Sequence, residues 1–165
     1  MIFDTLKLWA KAVVLGDINV SYYTLPVLWV LCLVPHLFAR FIYTTSTGQN
    51  VDFFDLNSLA PTAGSNPALP PRVRAQVSRA ETVAADTAKC APIFAAAILA
   101  GNQVGLSNGL LNALSLVYIL TRVAYIDASI FCESLMMAVL QVVLSFTGHC
   151  IICTIFILAG MSWLP

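Results

Sequence analysis

Residues 83–100 read VAADTAKCAPIFAAAILA and residues 110–127 read LLNALSLVYILTRVAYID, with GNQVGLSNG between them. Each run is 18 residues long and apolar enough to be a membrane-span candidate. The intervening segment carries Gly101, Gly105 and Gly109, so it reads as a short turn and makes the two helices antiparallel. Inside these runs lie Asp86, Lys89, Arg122 and Asp127. A charge at bilayer depth costs about 2.5–3.5 kcal/mol on insertion scales unless it faces protein and finds a partner. The pair of helices therefore predicts a polar pocket inside a helical bundle.

The whole chain agrees with that class. Of 165 residues, 59% are hydrophobic and 10% charged, and the mean hydropathy is +0.87. About 25% charged residues is usual for a soluble domain, so the chain has too few to coat a water-facing surface. Its net charge of zero and lack of any basic run exclude nucleic acid as a partner. The five cysteines form no disulfide framework. Cys150 and Cys153 have C-x-x-C spacing but fall mid-span, where they read as small buried apolar residues rather than a redox pair.

Two further spans complete the bundle. The first covers about 22–43, with Tyr22, Tyr23 and Tyr43 at its interfaces. The last covers about 134–159. Residues 1–20 read as an interfacial helix or tether with Lys7 and Lys11 on one face. Residues 44–71 form a polar, Pro-rich loop, and the second helix starts near Arg72, ahead of its spanning part. The fold class is all-α: an integral membrane, antiparallel four-helix bundle in one domain over 1–165.

Counting Lys and Arg puts Arg40, Arg72, Arg74, Arg79 and Arg122 on one side and Lys7 and Lys11 on the other. This predicts a cytosolic first loop (about 44–78) and lumenal termini. Asn19-Val20-Ser21 is a formal glycosylation sequon on the lumenal side, but it abuts the membrane.

At 100° per residue, Arg79, Asp86 and Lys89 share a face of the second helix, while Glu81 points away. Asp86 and Lys89, three apart, are placed to neutralise each other. Tyr118, Arg122 and Tyr125 form one stripe on the third helix; Gln141, Ser145, His149 and Cys153 form another on the fourth. Such stripes should face one another or a neighbouring subunit. His36 and Arg40 share a face of the first helix, where Arg40 either snorkels to the headgroups or joins the pocket. Cations in excess at this level (Arg40, Arg79, Lys89, Arg122), with the Tyr125 hydroxyl, suit an anionic ligand. Glu133 adds a further charge at the end of a span. No metal-ligand or soluble catalytic motif is present.

The run Arg79-Ala80-Glu81, then Pro92-Ile-Phe94-Ala-Ala-Ala97, Ala100-Gly-Asn102, Leu111-Asn112-x-Leu-Ser115, Tyr118 and Arg122-Val-x-Tyr125 resembles the MAPEG family. These are the membrane-associated proteins of eicosanoid and glutathione metabolism, and the resemblance is to fungal members above all. It covers about residues 22–160. It implies a four-helix subunit with lumenal termini, a homotrimer in the endoplasmic reticulum, and glutathione bound between subunits toward the cytosol. It further implies that a lipophilic small molecule is the substrate, with membrane lipid as surroundings.

By resemblance, Arg40, Arg79, Arg122 and Tyr125 match glutathione-binding positions of the family, with Arg122 stabilising the thiolate, and Asp86 and Lys89 stand at two further positions of that candidate site. Three departures stand out. Where the family has Asn and then Glu three residues on, this chain has Asp86 and Lys89, and Lys89 would repel the amino group that Glu holds; Asp86 could instead accept it. Ser129 replaces the second tyrosine of the third helix. The fourth helix has no Arg, where some family members keep the thiol-activating one. An alternative follows in which the same pocket performs glutathione-free acid–base isomerisation or cyclisation through Asp86, Lys89, Tyr125 and Asp127. A non-catalytic lipid-binding role is the third reading.

Overall fold

The computed structural model describes residues 16–49, 51, 59–132 and 134–162. The interfacial helix expected before residue 16, and Glu133, lie outside these. A 3-10 turn at Ser21–Tyr23 leads into α1 (Thr24–Thr47); α2 (Ala60–Ser65), α3 (Pro71–Gln103), α4 (Asn108–Ile130) and α5 (Leu135–Met161) follow. Among the described residues there is no strand. Four of the helices are long and apolar enough to cross a membrane. The shortest of them, α4 with 23 residues, spans roughly 34 Å, more than a hydrocarbon core of about 30 Å.

Local chemistry sets the ends. Gly48 closes α1 in the left-handed conformation, φ +67°, and its N–H donates to the Thr44 carbonyl, a common helix stop. Pro71 opens α3, where the missing N–H costs nothing. Ser134 caps α5 by accepting from the Met137 N–H. The helix α2 lies within the segment expected to be plain loop. Asn66 ties this loop to α1 by donating to the Tyr43 hydroxyl (3.1 Å).

Cross-helix pairs give the topology. Asn102, near the end of α3, donates to Ser21 Oγ ahead of α1, while Glu81 near the start of α3 meets His36 in the second half of α1; the two helices are antiparallel. Gly101 faces Leu111 and Ile155, so the end of α3 adjoins the start of α4 and the late part of α5. The helix α1 packs chiefly on α3, and α4 on α5.

The interior divides into two apolar layers. One centres on Phe94, Ile98, Leu111, Tyr118 and Ile155, the other on Tyr43, Val77, Val83 and Ile126. The outer faces are apolar too, with Leu135 83%, Met136 80% and Phe146 70% exposed, as helices solvated by lipid require. Cys150 and Cys153 lie exposed on this outer face of α5. The expectation that they are buried is corrected: α5 presents them outward because its contact side is taken by Gly148, Ile151, Ile152 and Ile155.

Before α1 the chain crosses the head of α4. Gly16, at φ +83°, approaches so closely that a Cβ there would stand 2.7 Å from the Gly109 backbone nitrogen. Asn112 brackets the same segment: its Oδ1 accepts from the Val20 N–H (2.8 Å) and its Nδ2 donates to the Ile18 carbonyl (2.7 Å). The Asn19 amide is held by Asn102 and Ser21, so the sequon side chain is engaged in the bundle.

Candidate functional site

The stripe Tyr118–Arg122–Tyr125 of α4 is buried as a unit, with the guanidinium at its centre 1% exposed. Stacking against Phe94, ring centroids 4.0 Å apart, holds the Tyr118 ring. Arg122 Nε donates to the Tyr118 hydroxyl (3.1 Å). Both tyrosine rings lie 5.4 Å from the guanidinium carbon, within cation–π range. From α5, Gly148 closes the arrangement: even a Cβ there would stand 3.6 Å from Arg122 Nε, so a larger residue would compete for the guanidinium's space.

The remaining donors are unfilled. Nη1 and Nη2 are buried without a hydrogen-bond partner, and Asp86 Oδ2 stands 3.6 Å from Nη1. That separation makes an ion pair but not a hydrogen bond. Asp86, whose side chain is 38% exposed, is the anion of α3 that stands against Arg122. Lys89 is exposed and makes no ion pair among the described residues. The expected Asp86–Lys89 neutralisation is therefore corrected, because the orientation of α3 aims the carboxylate at α4.

Two clefts adjoin this centre. One, about 360 Å³, lies against Tyr125, Gln141, Ser145 and His149; the other, about 160 Å³, against Arg79, Thr82, Tyr125, Ser129 and Gln141. Tyr125 and Gln141 wall both. Arg79 is fixed by donating to the Ala75 carbonyl (3.2 Å) and to the Cys132 carbonyl, which ties the head of α3 to the end of α4. Ser129 turns inward to its own helix, donating to the Tyr125 carbonyl (2.7 Å). His149 Nδ1 bonds the Ser145 carbonyl (2.7 Å), and its Nε2 faces Cys90 Sγ at 3.7 Å. Asp127 is exposed and makes no side-chain hydrogen bond among the described residues.

Arg40 is elsewhere. It is 1% exposed and does not snorkel; its Nε donates to His36 Nε2 (3.0 Å), and His36 Nδ1 meets Glu81 Oε2 (2.9 Å). The face of α3 that points away from Asp86 is thus used to bind α1. Spacing pairs His36 with Arg40, but Glu81 as their partner was not legible in it. Among the described residues, no three His, Cys, Asp or Glu side chains converge as metal ligands would.

The family model described as MAPEG matches residues 22–161. The chain belongs to the MAPEG family. No curated protein and no solved structure matches it. As a MAPEG protein it is an integral membrane protein, in a family that includes glutathione transferases and isomerases. The four spanning helices α1, α3, α4 and α5 all fall within the matched region. So do Arg122, Asp86 and Tyr125.

Proposed function

We propose that this MAPEG protein is a membrane enzyme that acts on a lipophilic small molecule and holds an anion at Arg122. One observation carries the reading: a guanidinium 1% exposed keeps two nitrogens without hydrogen-bond partners. Buried charge with unmade hydrogen bonds is costly. An anion offering acceptors to Nη1 and Nη2 relieves that cost, and the ion-paired but unbonded Asp86 is the group it displaces or reorients.

Glutathione fits this centre in part. When bound it supplies a thiol nucleophile for a lipophilic electrophile. Arg122 would favour the thiolate over the thiol, and the Tyr125 hydroxyl stands at the mouth of both clefts to donate a hydrogen bond. Asp86 is the carboxylate available to the amino group. Lys89, exposed and of the wrong sign, does not fit it. Homotrimeric assembly in the endoplasmic reticulum, with lumenal termini and a cytosolic first loop, belongs to the same proposal. Arg40 is tied to His36 and Glu81 within its own subunit, so its place in a glutathione site depends on that assembly.

A second reading is favoured by the Asp86–Arg122 pair itself. A half-exposed carboxylate poised by a guanidinium is a usable base for acid–base isomerisation or cyclisation without glutathione. Titration of detergent-purified protein with glutathione separates the two. Saturable binding that is weakened by Arg122→Ala supports the first. No heat or spectral change at millimolar glutathione removes it, and thiol-free turnover abolished by Asp86→Asn, with the oligomer intact, supports the second.

A further inference from the structure

Cys90 of α3 and His149 of α5 form a pair that the Arg122 reading leaves unused, with Sγ 3.7 Å from Nε2. The other ring nitrogen sets the roles. A backbone carbonyl only accepts, so Nδ1 carries a proton and donates it to the Ser145 carbonyl (2.7 Å). In a neutral imidazole Nε2 is then the bare nitrogen, and it takes the Cys90 S–H. A nucleophile, a base and a group that orients the base stand in line, the arrangement of an activated nucleophile. Periodicity placed His149 in the polar stripe of α5; its thiol partner comes from another helix.

Two surroundings define what this thiol would meet. His149 is exposed and walls the cleft of about 360 Å³ together with Val142 and Phe146, which are 68% and 70% exposed on the apolar outer face. A molecule that enters there comes from the bilayer and is apolar. Arg122 lies against the same stretch of α5: its Nη2 would stand 3.7 Å from a Cβ on Gly148, the residue before His149, and Cys90 is within its electrostatic reach. Its Nη1 and Nη2 lack hydrogen-bond partners. Negative charge that develops beside the sulfur therefore finds a cation and unfilled donors.

We propose that Cys90 is a covalent modification site for lipophilic α,β-unsaturated carbonyl compounds, with His149 as its proton-transfer group. Nε2 takes the thiol proton, and the sulfur bonds the β-carbon as the C=C electron pair shifts toward the carbonyl oxygen. The α-carbon then takes the proton back from Nε2. One S–C bond replaces one C–C π bond, one S–H becomes one C–H, and nothing leaves. Such an addition uses both members of the pair and needs no oxidant. Arg122 serves here as a charge and not as a glutathione ligand, so this reading and the glutathione reading fail separately.

The test uses the full chain in lipid nanodiscs without glutathione, an alkyne-tagged long-chain vinyl ketone, and mass-spectrometric mapping of the thioether. Cys90 is 5% exposed, whereas Cys150 and Cys153 are exposed. Burial alone makes a thiol inert and predicts that those two label first. The paired thiol should instead label about tenfold faster than either, or more. This order of rates is read in the unaltered protein and needs no variant. His149→Gln should remove the advantage of Cys90; glutamine is no larger than histidine, so the way to the sulfur stays open and the loss reports the base. Labelling of Cys90 no faster than that of Cys150 and Cys153 overturns the proposal. So does a His149→Gln protein that labels Cys90 at the original rate.

Discussion

Asp86 stands 3.6 Å from Arg122, its Oδ2 facing Nη1 across the α3–α4 contact without a hydrogen bond between them. The two charges are matched but not bonded. This leaves the guanidinium ready to exchange its partner, and it separates the role of Arg122 in binding from its role in stability.

Arg122→Met should abolish anion or glutathione binding while leaving the fold intact. Replacing a whole buried ion pair by apolar side chains is often neutral or stabilising by about 1–4 kcal/mol, whereas removing one partner is costly only if the other is left buried and charged. Asp86, already 38% exposed, can stay solvated. Thermal unfolding in detergent should show an unchanged or higher midpoint; a large drop would mean that Arg122 is structural.

Lys89→Glu should raise glutathione affinity by about tenfold or more, since it replaces repulsion by attraction at the amino group. Lys89 is exposed and unpaired among the described residues, so folding should not change. Calorimetric titration of the variant decides it, and an unchanged or weaker affinity would count against the glutathione reading.

His36→Ala should cost about 3–5 kcal/mol, the usual penalty for breaking a buried charged network. Arg40 and Glu81, 1% and 7% exposed, would lose the imidazole that links them. Denaturant titration of the variant in micelles measures this. A cost below about 1 kcal/mol would show that the link carries no stability.

Asn112→Ala should destabilise by about 1–3 kcal/mol, because the Val20 N–H and the Ile18 carbonyl both lose their partner at about 0.5–1.5 kcal/mol for each hydrogen bond. Faster proteolysis between residues 16 and 20 is the companion readout. Retention of full protease resistance would show that Asn108, whose Nδ2 donates to the Gly16 carbonyl (3.1 Å), docks this segment without Asn112.

Gly148→Ala should be tolerated, since its Cβ would meet Arg122 and Tyr118 at ordinary contact distances of 3.6 Å. Gly148→Leu should displace the guanidinium and reduce anion binding at least tenfold, a loss of about 1.4 kcal/mol. Equal binding by both variants would mean that Arg122 is not confined by α5.

Much of this protein was legible without coordinates. Composition and run length determined the membrane class and the four spans, because a bilayer admits few ways to satisfy a backbone. Periodicity grouped Tyr118, Arg122 and Tyr125, and it separated Glu81 from Asp86, since residues 3.6 apart share a face whatever lies outside the helix.

Partnership across helices was not legible. That Asp86 meets Arg122 rather than Lys89, that Glu81 closes a network with His36 and Arg40, and that Gly148 lies over the guanidinium all depend on helix orientation. The rotation of a helix about its axis is set by the packing of all its neighbours at once, as when Phe94 stacks on Tyr118 and Gly101 admits Leu111. The sequence alone determined which residues are neighbours along each helix; only the tertiary structure decided which charges meet between them.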